Sequence, residues 1–143
     1  MNRYCVFVVL AGLLAVTGVA HGQDASKPKV HRSGDVSYVS GGMEPEERKA
    51  LLKMAERYQV QLSFKLENSD EKLKGVKVSM INYRGEAAVE TLADGPIFFV
   101  NPPHGRWTIK AEYGGETHTK TVDVNGRFYV TWDVSFKGAS STN

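Results

Sequence analysis

The sequence predicts a mainly β protein, a seven-stranded antiparallel Greek-key sandwich with one N-terminal amphipathic helix. Three observations support this prediction. After Gln59, apolar residues recur at every second position. These alternating runs are short and are separated by glycine, proline and asparagine turns. Only one stretch has apolar residues at helical spacing, and strands joined without intervening helices form antiparallel sheets around a shared core.

The first segment has the pattern of a signal peptide. A basic residue, Arg3, precedes an apolar run over residues 4–20, and small residues follow that run. Cleavage after Gly22 is preferred, because Ala20 and Gly22 are then the small residues at positions −3 and −1 and polar residues begin at Gln23. Cleavage after Ala20 is the alternative. An uncleaved anchor needs about 20 apolar residues, more than this run supplies. We therefore expect a signal peptide over residues 1–22, a periplasmic or secreted protein, and no stable membrane anchor after cleavage.

Composition limits the partners and the compartment further. Cys5 is the only cysteine and leaves with the signal peptide, so the processed protein has no disulfide and depends on its core. Roughly 120 residues suffice for one such core. The whole chain has 18 Lys and Arg against 16 Asp and Glu, and the loss of Arg3 leaves 17 basic residues. Neither sign forms a long block, so no nucleic acid is expected as partner.

Two polar segments flank one predicted domain, residues 36–136. Residues 23–35 and 137–143 lack an apolar period, which predicts a flexible leader and a disordered tail. Within the domain a helix is predicted over residues 45–58, with Pro45 at its first position, where a missing N–H costs nothing. Its apolar stripe follows the helical period and consists of Leu51, Met54, Ala55 and Tyr58.

Seven strands are predicted after the helix. They run over residues 60–66, 76–80, 87–92, 97–100, 107–113, 116–124 and 128–136. In the last of them, Phe128 and Trp132 are expected on the inward face, and Asn125-Gly126 is expected to form a two-residue hairpin. The strands over 97–100 and 87–92 are predicted as sheet edges. At such an edge another envelope protein or a second copy of the chain can add a strand.

One stretch of the strand region carries a family resemblance. It contains Asp94-Gly95, a short apolar strand, the turn Pro102-Pro103-His104-Gly105 and the aromatic Trp107, where the family more often has Tyr. It resembles the signature of the carboxypeptidase regulatory-like domains, which are small transthyretin-like (prealbumin-like) sandwiches. Together with the signal peptide, the whole is similar to a group of small exported proteobacterial proteins. The resemblance implies a binding or accessory module that is not itself catalytic.

No pattern in the sequence predicts a catalytic, metal or cofactor site. The histidines of the processed chain, His31, His104 and His118, have no metal-ligand spacing, and there is no G-x-S-x-G motif. The leading hypothesis is an exported, non-catalytic binding or accessory module of the cell envelope, without a cofactor. A small periplasmic hydrolase that uses the loop histidine His104 or His118 is one alternative. A structural component of an envelope assembly is the other.

A glycine pair, Gly41-Gly42, stands directly before the helix. A phosphate site at this helix start is disfavoured, because Pro45 removes an N–H donor and the glutamates around it repel anions. The glycines are expected to form the sharp turn between Val36–Val39, a short edge strand, and the helix. Outward-facing and loop tyrosines add to this turn as a possible partner surface. Its predicted residues are Tyr38, Ser40, Gly41, Gly42, Tyr83 and Tyr129.

Overall fold

The structure is a computed structural model that describes residues 28–138. The predicted signal peptide, residues 23–27 of the leader and residues 139–143 of the tail lie outside the described residues. The elements, in chain order, are β1 (His31–Ser33), β2 (Val36–Gly41), α1 (Pro45–Met54), a 3-10 turn (Ala55–Arg57), β3 (Val60–Leu66), β4 (Lys77–Asn82), β5 (Ala87–Leu92), β6 (Ile97–Asn101), β7 (Gly105–Tyr113), β8 (Glu116–Val124) and β9 (Val130–Phe136).

The strands form two sheets, which confirms the predicted mainly β architecture. One sheet has the order β1-β2-β6-β3-β9 and the other has the order β5-β4-β7-β8. Residues 28–138 thus contain nine strands, and the predicted count of seven is wrong. The two additional strands precede the helix. β1 lies within the residues that were predicted to be leader, where the sequence is too short and too polar to show a clear alternation. β2 contains Val36–Val39, which were predicted as a short edge strand, but it is not an edge because it lies between β1 and β6.

The pairing of β3 with β9 is parallel, and this corrects the prediction that all strands are antiparallel. The other strand pairs in the described part are antiparallel. The parallel pair arises because β8 ends at the end of the sandwich where β3 begins. The chain then crosses to the other sheet and runs alongside β3 in the same direction, with Val60 opposite Val130 and Leu66 opposite Phe136.

The main core lies between the two sheets. Alternate residues of β3 face it, and Val60, Leu62 and Phe64 are at most 3% exposed. On β9, Phe136 is buried as predicted. Trp132 packs against the main core as predicted but is half-buried, with the ammonium of Lys120 5.9 Å from its ring centroid. The core thus follows the period of two, which is why alternation located the strands correctly.

The helix begins at Pro45 as predicted, ends before the predicted residue 58, and packs on the outer face of the five-stranded sheet. It ends in regular form at Met54 and continues as the 3-10 turn. A second apolar cluster joins it to the sheet and consists of Val39, Leu51, Tyr58, Ile97 and Phe99. Within residues 28–138 no helix has the length and the apolar character needed to cross a membrane.

The predicted sheet edges are half right. β5 is an edge strand, and the Ser33 hydroxyl donates a hydrogen bond to its Ala88 carbonyl at 2.7 Å. β6 is not an edge, because it lies between β2 and β3. The helix covers one face of β6 and the main core covers the other, so its residues from Ile97 to Val100 are all buried. A strand covered on both faces is uniformly apolar.

Candidate binding surface

The two ends of the sandwich expose different residues. At one end, which we call the Tyr83 end, three connections lie side by side because Asn82 pairs with Trp107 and Gly105 pairs with Val124. These connections are residues 83–86 between β4 and β5, 102–104 between β6 and β7, and 125–129 between β8 and β9. The Gly41-Gly42 turn, the connection between β5 and β6 and the β7–β8 turn lie at the opposite end, which we call the Gly41 end.

Tyr83 stands on a turn that Asn82 holds in place. The side-chain oxygen of Asn82 accepts the backbone N–H groups of Arg84 at 2.9 Å and Glu86 at 3.0 Å. The side-chain nitrogen of Asn82 donates to the Glu86 carboxylate at 3.1 Å, and the backbone carbonyl of Asn82 accepts the Gly85 N–H at 3.0 Å. Asparagine side chains stabilise turns through such local bonds. The turn is therefore ordered without help from a partner.

The Tyr83 ring is exposed and yet held by its neighbour. Its residue is 76% exposed, the largest value among the exposed large apolar and aromatic residues of the described chain. The Arg84 Nε group donates to the Tyr83 hydroxyl at 3.0 Å, and the guanidinium carbon lies 5.4 Å from the ring centroid. A ring fixed before binding loses little conformational entropy when a ligand packs against it.

The β8–β9 loop adds two more exposed aromatic residues to this end. Phe128 is 74% exposed and Tyr129 is 53% exposed, and the Tyr129 hydroxyl donates to the Glu56 carbonyl at 3.0 Å. The prediction that Phe128 faces inward is wrong, because β9 begins only at Val130. The predicted Asn125-Gly126 hairpin is wrong as well, since β8 and β9 belong to different sheets. The connection is a loop between the sheets, and a loop residue need not follow the alternation of the strand after it.

Arginine supplies the positive charge of this end. Two of the seven arginines of the chain, Arg84 and Arg127, lie in its three connections, and none of the eleven lysines does. Arg106 lies beside them as the second residue of β7. Arginine, tyrosine and phenylalanine are enriched at binding interfaces, where lysine is depleted. The composition of the Tyr83 end is therefore that of a recognition surface.

The Gly41-Gly42 turn at the opposite end is filled by the chain itself. Gly42 donates its N–H to the Glu47 carboxylate at 2.8 Å, and the Arg48 guanidinium donates to the Gly42 carbonyl at 3.1 Å. A Cβ atom at Gly41 would lie 1.6 Å from Glu47 Oε1, and one at Gly95 would lie 2.3 Å from the Gly41 carbonyl oxygen. The prediction of a tight turn into the helix is confirmed.

The remaining predicted partner residues are only partly accessible. Ser40 is 9% exposed and its hydroxyl oxygen accepts the Asp94 N–H at 3.1 Å. Tyr38 is half-buried and stacks between the rings of His31 at 5.3 Å and Phe98 at 5.6 Å. Gly41 and Gly42 are buried. The structure thus brings Tyr83 and Tyr129 to one exposed end. The other four predicted residues do not lie in the three connections of that end, and their role in partner binding stays a prediction.

The two histidines of the hydrolase hypothesis lie far apart in the fold. His104 is in the β6–β7 connection, beside Gly126 at the Tyr83 end. His118 is on β8 near the Gly41 end, with Nε2 2.8 Å from Glu116 Oε1 and its ring edge-on to Phe136. Among residues 28–138 no group of three or more His, Cys, Asp or Glu side chains is arranged to hold a metal ion.

Glu116 joins β8 to the end of β9. One carboxylate oxygen accepts the backbone N–H of Lys137 at 2.9 Å, and the other contacts His118. The Lys137 N–H, and to a smaller extent His118, hold the pKa of Glu116 below its ordinary value. Both polar partners favour the charged carboxylate, so this contact stabilises the junction of the two sheets where the described chain ends.

Comparison with known proteins leaves the family open. No protein-family model and no curated protein matches the chain. Among solved structures, the Bacillus anthracis TIE protein is similar over 53% of this chain, at 15% sequence identity and a TM-score of 0.45. The matched part spans 15% of that protein's chain. A likeness this distant carries no argument about function, so the functional conclusion depends on the residues described above.

Proposed function

We propose that the protein is an exported, non-catalytic binding or accessory module of the cell envelope that binds its partner through the Tyr83 end. The observation that carries the proposal is the pair of aromatic loops at this end. Tyr83, Phe128 and Tyr129 are each more than half exposed, and Tyr83 and Tyr129 are also held by hydrogen bonds. Exposed and ordered aromatic side chains beside arginines are the usual anchors of a binding surface.

The finer fold assignment belongs to the same proposal. A transthyretin-like Greek-key sandwich of the carboxypeptidase regulatory-like type agrees with two packed sheets and with the turn over residues 102–104. Trp107 follows that turn at the start of β7, and its indole N–H donates to the Pro103 carbonyl at 2.9 Å. This bond ties the aromatic residue of the motif to its turn, which is the structural role that the resemblance implies.

Export is supported by the sequence, and the core is compatible with it. The apolar segment before Gly22 has the pattern of a cleaved signal. The core of the described domain closes without a disulfide, because both of its apolar clusters are built from aliphatic and aromatic side chains. Such a domain is stable in an oxidising compartment without oxidative assembly. A periplasmic or secreted location follows as part of the proposal.

Co-sedimentation with isolated envelope tests the binding proposal. The protein, produced from the full sequence and purified after export, is mixed with envelope from the organism that encodes it and then pelleted. We expect wild-type protein in the pellet and a loss of about tenfold in affinity for the double variant Tyr83→Ala, Phe128→Ala. The matched control is Leu52→Ala, because Leu52 is 58% exposed on the helix and lies away from the three connections.

Two results would contradict the proposal. One is a wild-type protein that stays in the supernatant at every protein and envelope concentration. The other is a double variant that sediments as well as the Leu52→Ala control. Since all three side chains are exposed, the variants keep the fold, and circular dichroism spectra should coincide with that of the wild type.

A further inference from the structure

A cleft of 680 Å³ opens beside Tyr83 on the outer face of the four-stranded sheet. Its floor is formed by outward side chains of β4, β7 and β8, and its wall is the Tyr83 turn. The lining residues are Ile81, Asn82, Tyr83, Gly85, Arg106, Thr108, Lys110 and Thr121. Its size is that of a small-molecule site. It adjoins the candidate binding surface and shares Tyr83 with it.

The cleft floor presents side chains to a ligand. β4 is paired with β5 and β7, and β7 is paired with β4 and β8, so the backbone groups between these strands are used within the sheet. An extended peptide therefore cannot add as a strand between them, and the free edge of β8 lies on its side away from β7. The hydroxyls of Thr108 and Thr121, which are direct partners across two strands, lie 3.5 Å apart and point into the cleft as donors and acceptors. Such a floor suits a ligand with many hydroxyl groups.

The charges of the cleft favour an anion. Arg106 and Lys110 are its charged lining residues, and no carboxylate lines it. Arg106 uses its Nε group for Asp123 at 3.1 Å, in a pair that is 68% exposed on both sides and therefore weak. Lys110 forms no ion pair within residues 28–138. The cleft can thus offer positive charge to a ligand carboxylate.

A second groove in the described residues has a different charge pattern. The groove has a volume of 730 Å³ and lies between α1 and residues 67–72. Its walls carry both signs of charge: Arg48, Lys65 and Lys72 with Glu67, Asp70 and Glu71. The two signs compensate one another there, and the groove has no exposed aromatic ring. Of these two sites in the described residues, the cleft alone has cationic lining residues without a lining carboxylate, together with a fixed aromatic wall.

We propose that this cleft binds an acidic oligosaccharide, and the proposal rests on the envelope-binding function above. The ring of Tyr83 packs against the apolar face of one sugar ring, as aromatic rings do with flat apolar surfaces. The hydroxyls of Thr108 and Thr121 exchange hydrogen bonds with sugar hydroxyls. Lys110 and the amino groups of Arg106 lie four residues apart on β7, about 13 Å along the strand, and pair with carboxylates of different sugar units. Exported proteins meet such glycans at cell surfaces, which links the ligand to the proposed location.

Titration calorimetry with defined sugars tests the proposal. Trigalacturonic acid is the acidic probe, and maltotriose is a neutral trisaccharide of the same length. We expect the wild type to bind the acidic probe and not the neutral one. Tyr83→Ala and Lys110→Gln should each weaken that binding by about tenfold or more. Lys77→Gln is the matched control, because Lys77 lies on the same face of β4 but pairs with Glu90 at 3.1 Å outside the cleft.

Several results would overturn the inference. These are no binding of trigalacturonic acid at millimolar concentration, equal binding of maltotriose, and binding that the Tyr83 and Lys110 variants leave unchanged. Tighter binding of a polyglutamate peptide, lost in the same two variants, would assign the cleft to an acidic protein segment instead.

If the envelope still retains the protein through Tyr83 while trigalacturonic acid does not bind, the sugar inference fails and the binding function stands. If the sugar binds as expected but the envelope does not retain the protein, the binding function fails.

Discussion

The two ends of the sandwich differ in how their turns are held. At the Gly41 end, backbone packs directly on backbone, and the space above Gly41 and Gly95 is occupied by Glu47 and by the chain itself. At the Tyr83 end, the side chains of Asn82 and Asn125 hold two of the three connections, and the aromatic residues that these two carry remain exposed. The Gly41-Gly42 turn is therefore packed against the helix and the sheet, whereas the Tyr83 turn presents its ring to solvent.

This difference separates residues that fix the fold from residues that are free to bind. Substitution at the Gly41 end changes the packing of the helix on the sheet, because Glu47 lies on α1 and Ile97 lies next to Gly42. Substitution of an exposed ring at the Tyr83 end removes few contacts within the molecule. We therefore expect substitutions at the Gly41 end to lower stability, and substitutions of exposed rings at the Tyr83 end to lower binding without lowering stability. Three substitutions test the expectations for stability.

The largest effect is expected at Gly95. In Gly95→Ala the new Cβ would lie 2.3 Å from the Gly41 carbonyl oxygen, so backbone must move. We expect a loss of about 3 kcal/mol in the free energy of unfolding, measured by urea denaturation. The control is Gly34→Ala, whose Cβ meets nothing within 4 Å and whose positive φ of 58° alone costs about 1 kcal/mol. Equal losses in the two variants would show that the Gly41 end is not tightly packed.

A smaller effect is expected at Asn82. Asn82→Ala removes three side-chain hydrogen bonds from the Tyr83 turn, and we expect a loss of about 1–2 kcal/mol in the free energy of unfolding. Asn125→Ala is the comparison, since the Asn125 side chain accepts one bond, from the Arg127 N–H at 3.0 Å. Its loss should be smaller. If Asn82→Ala costs no more than Asn125→Ala, the Tyr83 ring is not held by its turn.

The smallest effect is expected at Glu116 and depends on pH. The pKa of this carboxyl is lower in the folded state than in the unfolded chain, so its charged form stabilises the fold above the ordinary glutamate pKa. That contribution disappears as the pH falls through the folded-state pKa. We therefore expect Glu116→Gln to be slightly less stable than wild type near neutral pH and equally stable in strong acid. Unfolding curves for both proteins at each pH measure this, and a gap that widens on acidification would refute it.

Local sequence pattern was sufficient to predict much of the fold. The helix beginning at Pro45 and the strands after it follow periods of 3.6 and 2, which depend on near neighbours alone. Sheet order depends on contacts between distant segments, and for that reason the central place of β6 was missed. The uninterrupted apolar run from Ile97 to Val100 was the available signal, since an edge strand has no need of apolar residues on both faces.

The candidate surface was predicted in part for the same reason. Tyr83 and Tyr129 were identified because they fall outside the inward alternation, and both are exposed. Phe128 was predicted to face inward because it lies two residues before Val130, which fits the alternation of β9. It is exposed because β9 begins only at Val130 and Phe128 belongs to the loop before it. The cleft beside Tyr83 could not be predicted, since Thr108 and Thr121 come together only through the register of β7 and β8. The register depends on contacts across the whole sheet and cannot be inferred from the sequence of either strand alone.

The parallel pair of β3 and β9 also determines when the five-stranded sheet can form in full. The side chains of Ser63 and Asp133 bond across this pair although they are 70 residues apart in the chain. Until β9 has been synthesised and released, β3 lacks one of its two neighbours and its backbone groups on that side remain unpaired. Contacts this distant in sequence close slowly, because a long loop must be ordered first. We therefore expect the five-stranded sheet to close late in folding, when β9 pairs with β3.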